Sequence, residues 1–334
     1  MVAQIDAAYR HHGRGRVLRR LASYALFEGR PATTRGQWFN PAVFAWLRAL
    51  AVLPGHPRID RPVFITGLGR SGTTILGLLL SVHRDVGFLN EPKALWHVID
   101  PRQDVNGNYA VGVGRYRLGA TDVTPVLRVR AHRLFGRYLA SVGARRVVDK
   151  YPELVFRIPY VRAIFPDARF IFISRNGVDA CQSIVRWSER LGRGAGSTLE
   201  DWWGRSDSKW HMLWRQLVDT DPDCADIAAL GRDALDHANR AAVEWALTMR
   251  EGLRQVQAAP DVVVPVRYED LLADPDGELQ RLQSICGLEP DAAVVAYARD
   301  ALHENPAKLM PTLLPPVQRL FDETMAQMGY GAPA

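Results

Sequence analysis

Cysteine is scarce in this chain, with three among 334 residues, at positions 181, 224 and 286. Their number and wide separation indicate neither a disulfide framework nor a paired metal-ligand motif, and they fit a protein of a reducing cytoplasm. Long apolar runs are also lacking, because none reaches the roughly 18 residues that a membrane-spanning helix needs. The first 60 residues contain no basic, apolar and small-residue pattern of a cleaved leader. The sequence therefore predicts a soluble, cytoplasmic protein.

Internal repeats, low-complexity linkers and the signatures of zinc fingers or RNA-binding modules are absent as well. With 47% hydrophobic residues, the chain can bury one substantial core, so one elaborated α/β domain is expected. The formal net charge of +6 favours anionic ligands. That charge is spread along the chain, which argues against a nucleic-acid partner, and no pattern indicates an oligomeric state.

Residues 62–91 carry the most informative pattern, PVFITGLGRSGTTILGLLLSVHRDVGFLNE. Val63–Thr66 predicts a short buried strand, the glycines that follow predict a tight turn, and the apolar run from Thr73 predicts a helix. Free backbone N–H groups at the start of that helix favour an anion. The candidate anion ligands in this loop are Gly69, Arg70, Ser71, Gly72, Thr73 and Thr74.

The loop alone leaves three classes of protein open. A nucleotide triphosphatase would match Gly67 and Gly72, but Thr73 stands where its motif requires lysine. A dinucleotide-binding enzyme, such as an NAD-dependent oxidoreductase, would match G-x-G-x-x-G, with Glu91 placed as the acidic ribose ligand. The third class is a sulfotransferase.

Four segments support the third class. GLGRSGTT resembles the 5′-phosphosulfate loop of sulfotransferases that use 3′-phosphoadenosine 5′-phosphosulfate, and FIFISRNGVDACQS resembles their 3′-phosphate site. DKYPELVFRIPYVRAIFPDARF and VRYEDLLADP resemble the intervening lysine-bearing loop and a late strand-to-helix segment. The resemblance spans about residues 62–288. It implies a parallel β-sheet flanked by helices on both faces, with a P-loop-like phosphosulfate-binding loop, and a reaction that needs no metal.

The resemblance also assigns catalytic residues. Glu91, at the end of the second predicted strand, corresponds to a general base for the acceptor hydroxyl, and Arg70 and Lys150 correspond to cations beside the sulfuryl group. Arg70 stands where cytosolic members have lysine, so the chain is nearer the bacterial and Golgi-type carbohydrate and tyrosylprotein branches. Lysine occurs at only four positions, 93, 150, 209 and 308, among 42 basic residues. This scarcity strengthens the interpretation of Lys150 as a functional residue.

The remaining donor contacts are predicted after later strands. Arg175 leaves the predicted strand 168–174, and Ser183 lies on the helix that follows, so both can bind one phosphate. Tyr268 corresponds to a tyrosine near the adenosine, although its hydroxyl could instead tie down a strand end. Lys308 is a candidate for a late basic contact with the nucleotide.

The regions outside these motifs have simpler interpretations. Residues 1–60 predict a helical N-terminal arm that packs on a sulfotransferase domain, 61–334, with a peripheral membrane contact as the less favoured alternative. Residues 100–130 predict a loop or lid, or a disordered surface insertion, and residues 156–165 predict an amphipathic helix that contains Pro159. The tryptophan-rich insertion at about 188–250 predicts either core packing or an acceptor pocket.

Together these patterns predict transfer of a sulfuryl group from 3′-phosphoadenosine 5′-phosphosulfate to an acceptor hydroxyl. The segments Phe88–Pro92 and Leu95–Val98 are similar to those of carbohydrate sulfotransferases, which favours a glycan, glycolipid or other small-molecule acceptor. Two alternatives stay open. One is a nucleotide-binding protein of the same fold with a degenerate acceptor site, and the other is the NAD-dependent oxidoreductase.

Overall fold

The computed structural model describes residues 3–30, 36–55, 59–110, 112–195, 198–303, 309 and 312–331. Five parallel strands form its main sheet, and three short strands form a separate antiparallel sheet. The main-sheet strands are β1 (Val63–Gly67), β2 (Val86–Asn90), β3 (Arg146–Lys150), β4 (Arg169–Ser174) and β8 (Val263–Arg267). The small sheet contains β5 (Arg193–Ala195), β6 (Thr198–Asp201) and β7 (Gly204–Arg205).

Helices cover both faces of the main sheet, and two separate hydrophobic clusters lie between the helices and the strands. The helices of the N-terminal half are α1 (Ala7–His11), α2 (Arg14–Ser23), α3 (Asn40–Val52), α4 (Thr73–Ser81), α5 (Lys93–Ile99), α6 (Pro125–Val142) and α7 (Ile158–Ile164). Those of the C-terminal half are α8 (Gly177–Leu191), α9 (Ser208–Leu213), α10 (Ala225–Leu230), α11 (His237–Ala258), α12 (Tyr268–Ala273), α13 (Pro275–Ile285), α14 (Ala292–Ala301) and α15 (Pro315–Gln327). The predicted α/β class with helices on both faces is confirmed.

The strand order is β2-β3-β1-β4-β8. Strand β1 is the middle strand of this order. Every residue from Val63 to Gly67 is buried, as expected for an apolar strand that helices cover on both faces. In the usual dinucleotide-binding order, the second strand lies directly beside the first. Here β3 separates them, so Glu91, which follows β2, is one strand farther from the loop than an acidic ribose ligand would be.

The N-terminal helices pack against the main sheet and its flanking helices. Arg20 on α2 is buried, and its guanidinium forms an ion pair with Glu28 at 2.5 Å. The same guanidinium donates to the carbonyl of Ala3 and to Gln4 Oε1, at 3.1 and 2.7 Å. A buried charge is retained at low cost only when it is paired and fully hydrogen-bonded. These contacts therefore fix the start of the chain against β2.

Two sequence expectations were wrong in detail. Residues 100–130 were expected to form a loop, but α6 begins at Pro125, with Thr124 as its N-cap accepting from the Leu127 N–H at 3.2 Å. Arginines and a glycine interrupt the apolar residues of α6, so its helical periodicity is weak in the sequence. Residues 156–165 were expected to form one helix, but a 3₁₀ segment at Pro152–Arg157 comes first and α7 begins at Ile158. Pro159 fits there because the first turn of a helix needs no N–H donor.

Candidate active site

The glycine loop joins β1 to α4 at the carboxyl edge of the main sheet, beside the ring of Tyr268. Gly72 has φ +88°, and a Cβ there would lie 2.3 Å from that ring. A Cβ on Gly69 would lie 2.5 Å from the indole of Trp202. Only glycine fits at contacts this short, so the loop backbone lies directly against two aromatic rings. The predicted strand, turn and helix are confirmed here.

Arg70 occupies the left-handed region at φ +72°, which is uncommon for a residue with a side chain. Its Nε donates to Ser183 Oγ at 3.1 Å, and its own carbonyl accepts from Arg175 Nη1 at 3.3 Å. Burial, and next the Arg175 guanidinium, lower the pKa of Arg70. Among the described residues no carboxylate forms a salt bridge with Arg70, so positive charge accumulates at this loop.

Two buried polar atoms at the loop lack a hydrogen-bond partner in the described part of the chain, namely Ser71 Oγ and Arg175 Nε. Buried polar groups are almost always paired, so an orphaned donor indicates a missing partner. The Arg175 guanidinium also lies 4.5 Å from the Tyr268 ring centroid and 3.6 Å from Asp179. Hydroxyl and guanidinium donors of this kind match the oxygens of phosphate and sulfate.

Glu91 follows β2 and also has a positive φ, +49°. Its Oε1 lies 2.5 Å from Lys150 Nζ, and its Oε2 lies 3.4 Å from Lys93 Nζ. Burial opposes ionisation of this carboxyl, but the two ammonium groups, Lys150 first, outweigh burial and lower the pKa of Glu91 to about 2. Glu91 is therefore ionised at neutral pH, with a third of its side chain (33%) exposed to the cavity.

The N-terminal arm supports the backbone next to Glu91. Glu28 Oε1 accepts from the Asn90 N–H at 2.8 Å while Glu28 remains paired with Arg20. On the other side, the Glu91 N–H donates to the Lys150 carbonyl at 2.7 Å. The carboxylate is thus held between β3 and a segment that lies far earlier in the chain.

A cavity of about 440 Å³ opens between the loop and these groups. Its walls come from the N-terminal arm, the loop around residue 106, the 3₁₀ segment after β3, the tryptophan-rich segment and α11. Lys93, Lys150 and Lys209, the three lysines of the described residues, all line it. Three lining residues have a buried atom without a hydrogen-bond partner among the described residues, namely Asn90 Oδ1, the Tyr116 hydroxyl and Asp201 Oδ2.

The tryptophans of residues 187–214 lie in two kinds of environment. Trp203, Trp210 and Trp214 are buried in the core. Trp187 and Trp202 line the cavity, with their rings in an edge-to-face contact at 5.8 Å.

Buried charges hold the Trp202 indole in place. Its Nε1 donates to Glu244 Oε2 at 2.6 Å, and Lys209 Nζ lies 4.2 Å from its ring centroid. Lys209 and Glu244 form a buried ion pair at 2.6 Å. A fixed indole at a cavity wall offers a stacking surface, because its orientation costs no further entropy on binding.

The structure brings most of the predicted site residues to one edge of the sheet. The loop, Glu91, Lys150, Arg175, Ser183 and Tyr268 lie around the carboxyl ends of β1 to β4 and β8. Lys308 lies outside the described residues. The Tyr268 ring, rather than its hydroxyl, provides the contacts described here.

Sequence reasoning missed Lys93, Lys209, Glu244, Glu28 and Tyr116 as cavity residues. The scarcity of lysine pointed to Lys93 and Lys209 as strongly as to Lys150. No comparable signal marked the carboxylates, because glutamate is common and usually solvated.

Comparison with known proteins agrees with this geometry. A model of the sulfotransferase family matches residues 62–228 and 224–293, and the chain belongs to this family. Nodulation protein NoeE of Sinorhizobium fredii is 30% identical over 246 residues, which is 70% of this chain and 51% of that protein. Protein-tyrosine sulfotransferase 1 of Danio rerio is 24% identical over 239 residues, which is 71% of this chain and 56% of that protein. The predicted affinity to the bacterial and tyrosylprotein branches is confirmed.

The chain spans about half the length of the curated relatives it matches. Among solved structures, the sulfotransferase domain from the curacin biosynthetic pathway superposes with a TM-score of 0.50 at 17% identity. That alignment covers 83% of this chain and 100% of the domain, and it supports the fold alone. In the part of the chain that the structure describes, no helix combines the length and apolar character needed to cross a bilayer.

Proposed function

We propose that this protein transfers a sulfuryl group from 3′-phosphoadenosine 5′-phosphosulfate to a hydroxyl group of a carbohydrate or a related small acceptor. The observation that carries the proposal is the meeting of two features at one cavity. One is an anion-binding loop whose Arg70 lines the cavity and accepts at its carbonyl from Arg175, and the other is a carboxylate, Glu91, paired with Lys150. Sulfuryl transfer needs both, because charge develops on a leaving phosphate while a hydroxyl loses its proton.

The loop residues fit the donor. Ser71 and the N–H groups at the start of α4 would hold the 5′-phosphosulfate, and Arg70 would contact the sulfuryl oxygens. Arg175 and Ser183 would hold the 3′-phosphate, since both side chains reach the same side of the loop. The Tyr268 ring, beside the loop, would contact the nucleoside. When bound, the donor supplies an activated sulfuryl group on a phosphate leaving group.

In the reaction, the acceptor oxygen forms a bond to sulfur and the bond between sulfur and the 5′-phosphate oxygen breaks. The acceptor proton passes to a carboxylate oxygen of Glu91, and the electron pair of the broken bond stays on the phosphate. Adenosine 3′,5′-bisphosphate and a sulfated acceptor are the products. Arginine cannot donate a proton to the leaving phosphate oxygen, so we assign that proton donation to Lys150.

The ion pair between Glu91 and Lys150 connects the role of Glu91 as a base with the role of Lys150 at the leaving oxygen. A carboxylate with a pKa of about 2 is a weak base, because proton transfer to it has little driving force. When Lys150 turns toward the donor's oxygens, Glu91 loses the stronger of its two cationic neighbours, and its pKa rises. Donor binding would thereby convert Glu91 into a more effective base.

The acceptor end of the cavity supports a polyhydroxyl acceptor. The fixed Trp202 ring can stack on the apolar face of a sugar, while Tyr116 and Asn90 offer unpaired hydrogen-bonding atoms. Buried carboxylates beside them can accept hydrogen bonds from the hydroxyl groups of such an acceptor. A protein tyrosine, the acceptor named for the Danio rerio relative, would place an aryl ring on Trp202 but would leave the polar atoms unused.

A cytoplasmic site of action remains part of the proposal, supported by three cysteines that are all free and buried. The deciding experiment is calorimetry of adenosine 3′,5′-bisphosphate, NAD and ATP without added metal. Micromolar or tighter binding of the bisphosphate, with much weaker binding of the other two, is expected. Preferential binding of NAD would support the oxidoreductase, and bisphosphate binding without transfer to any glycan, phenol or peptide would support the degenerate-site alternative.

A further inference from the structure

Helix α3 is apolar on the side that faces solvent as well as on the side that faces the core. Its inward residues Val43, Leu47 and Leu50 are buried. Its outward stripe, Ala42, Ala45, Trp46, Ala49, Val52 and Leu53, is exposed. Trp46 is 40% and Val52 75% exposed. Single exposed apolar residues need no explanation, but a continuous helical stripe usually marks an interaction surface.

The surroundings of this stripe expose little negative charge, because Asp100 and Asp104, which act on the groove residue His97, are both buried. Helix α3 contacts α5, α6, and the short segments 24–28 and 37–39. Those elements contain one carboxylate, Glu28, which is buried in its ion pair with Arg20. The same elements contribute basic residues, Arg48 on α3 and Arg128, Arg130, Arg133 and Arg137 on α6.

A groove lies between α3, α5 and α6, next to the stripe. It has a volume of about 290 Å³ and is lined by Arg48, Ala51, Val52, His97, Val98, Pro101 and Arg130. Within the described residues, Arg48 forms no salt bridge, and its guanidinium lies 5.5 Å from the centroid of the Phe44 ring. The buried Nδ1 of His97 also lacks a partner there. The groove thus offers donors for an anion directly beside an apolar helix.

Two further apolar side chains extend the surface across α6. Val126 is 67% and Val129 39% exposed, and both lie close to Arg130 in sequence. Arg133 and Arg137 donate to carbonyls at and just after the C-terminal end of α3, Ala51 and Pro54, at 3.2 and 2.7 Å. These bonds fix α3 and α6 as one rigid face.

We infer that the α3–α6 face docks on a membrane surface rich in anionic phospholipid, with Arg48 and Arg130 on lipid phosphate and Trp46, Val52 and Leu53 among the upper acyl chains. The charge of the face decides the occupant. Interfacial helices combine a tryptophan-bearing apolar stripe with arginines and lack carboxylates. In a dimer formed through this face, the arginines of one copy would lie against the arginines of the other. No carboxylate of the face could pair with them, so their charges would repel.

The test is flotation of the full chain with vesicles of phosphatidylcholine alone or of phosphatidylcholine with phosphatidylglycerol. The wild-type protein should float with the anionic vesicles, and floating should weaken as salt rises. Val52→Asp together with Trp46→Ser should reduce the floating fraction at least tenfold. Leu230→Asp, a matched change at an exposed leucine on α10, should leave it unchanged.

A second pair of variants separates charge from apolar contact. Arg48→Glu with Arg130→Glu should reduce binding to anionic vesicles by roughly fivefold or more per arginine, since each basic residue near such a surface contributes about 1 kcal/mol. Arg281→Glu, at an exposed arginine on α13, is the control. The melting temperature of every variant is compared with that of the wild type, so that loss of binding is not confused with unfolding. If the variant with Val52→Asp and Trp46→Ser is destabilised, the arginine variant still tests the proposal.

Two outcomes would overturn the inference. One is a wild-type protein that stays at the bottom of the gradient with both vesicle types. The other is a dimer in light scattering that Val52→Asp converts to a monomer, which would make this face an interface between copies of the chain.

Discussion

The proposed donor end and the proposed acceptor end of the site are built from different kinds of sequence. At the donor end, Arg70, Ser71, Arg175 and Ser183 lie on two strand-to-helix segments that follow adjacent strands, β1 and β4. At the acceptor end, Glu28, Tyr116, Trp202 and Glu244 come from four segments that are remote in the chain. The proposed donor is the same molecule whatever the acceptor is, so a local motif suffices to bind it. The wall that faces the acceptor can instead vary through changes in the loops on the same sheet.

Glu91 lies where the two ends meet, and its removal gives the largest expected effect. Glu91→Gln keeps the shape of the side chain but removes the base, so transfer should fall by roughly 10²–10⁴-fold. Affinity for adenosine 3′,5′-bisphosphate should stay nearly unchanged, because the carboxylate is assigned to the acceptor. Turnover with labelled donor and calorimetry measure the two quantities separately.

The matched control is Glu289→Gln, at an exposed glutamate between α13 and α14. Normal turnover in the Glu91→Gln variant would remove this carboxylate from the mechanism. Loss of nucleotide affinity alone would instead favour the ribose-binding role of an oxidoreductase.

Arg175 tests the donor end. Arg175→Ala removes a charge-assisted contact with the 3′-phosphate, which contributes about 1.5–3 kcal/mol, so affinity for adenosine 3′,5′-bisphosphate should fall roughly 10- to 150-fold. Affinity for 5′-AMP, which lacks that phosphate, should change little. Calorimetry with both ligands checks this, and Arg281→Ala serves as a surface control. Equal losses for the two ligands would show that Arg175 does not recognise the 3′ group.

Trp202 and Trp203 are neighbours with different expected effects. Trp202→Ala removes the stacking surface, so the KM for the acceptor should rise about tenfold, in line with about 1–1.5 kcal/mol for an aromatic contact, while the melting temperature changes little. Trp203 is fully buried, and Trp203→Ala should cost roughly 3–5 kcal/mol of unfolding free energy. Acceptor kinetics and thermal unfolding distinguish them. A large loss of stability in Trp202→Ala, without a change in KM, would make both tryptophans core residues.

Asp149 gives the smallest expected effect on transfer activity, because it acts on the pH dependence of stability. This fully buried carboxyl precedes Lys150, and burial raises its pKa to about 8, against a bond from Trp96 Nε1 at 2.8 Å that lowers it. The folded state therefore holds a proton that the unfolded state releases above its ordinary pKa of 3.8. Stability from this group is complete below pH 3.8 and is lost as pH rises toward 8.

Asp149→Asn removes that titration. The variant should show a flatter dependence of melting temperature on pH between about 4 and 8, with transfer activity retained. Asp270→Asn, at an exposed aspartate on α12, is the control. An unchanged slope would show that Asp149 is ionised in the folded protein.

Local pattern predicted the secondary structure of the glycine loop well. The run from Val63 to Thr74 combines a buried strand, a glycine turn and an apolar helix, and each is specified by a few adjacent residues. The same is true of the segment around Arg175. Helix α6 escaped prediction, because its four arginines on a partly buried helix broke the expected apolar stripe. Its arginines reach carbonyls on α3 and α5, which no local pattern reveals.

The sequence by itself determined the α/β class, the strand, glycine turn and helix of the proposed phosphate loop, and the order of the proposed site residues along the chain. These depend on interactions between residues a few positions apart, such as free N–H groups at a helix start. Only the tertiary structure decided that β3 separates β1 from β2, that Lys150 and Lys93 hold the pKa of Glu91 at about 2, and that Glu28 of the N-terminal arm supports its backbone. Those outcomes depend on burial and on distances between remote segments, and both arise only when the helices pack on the sheet.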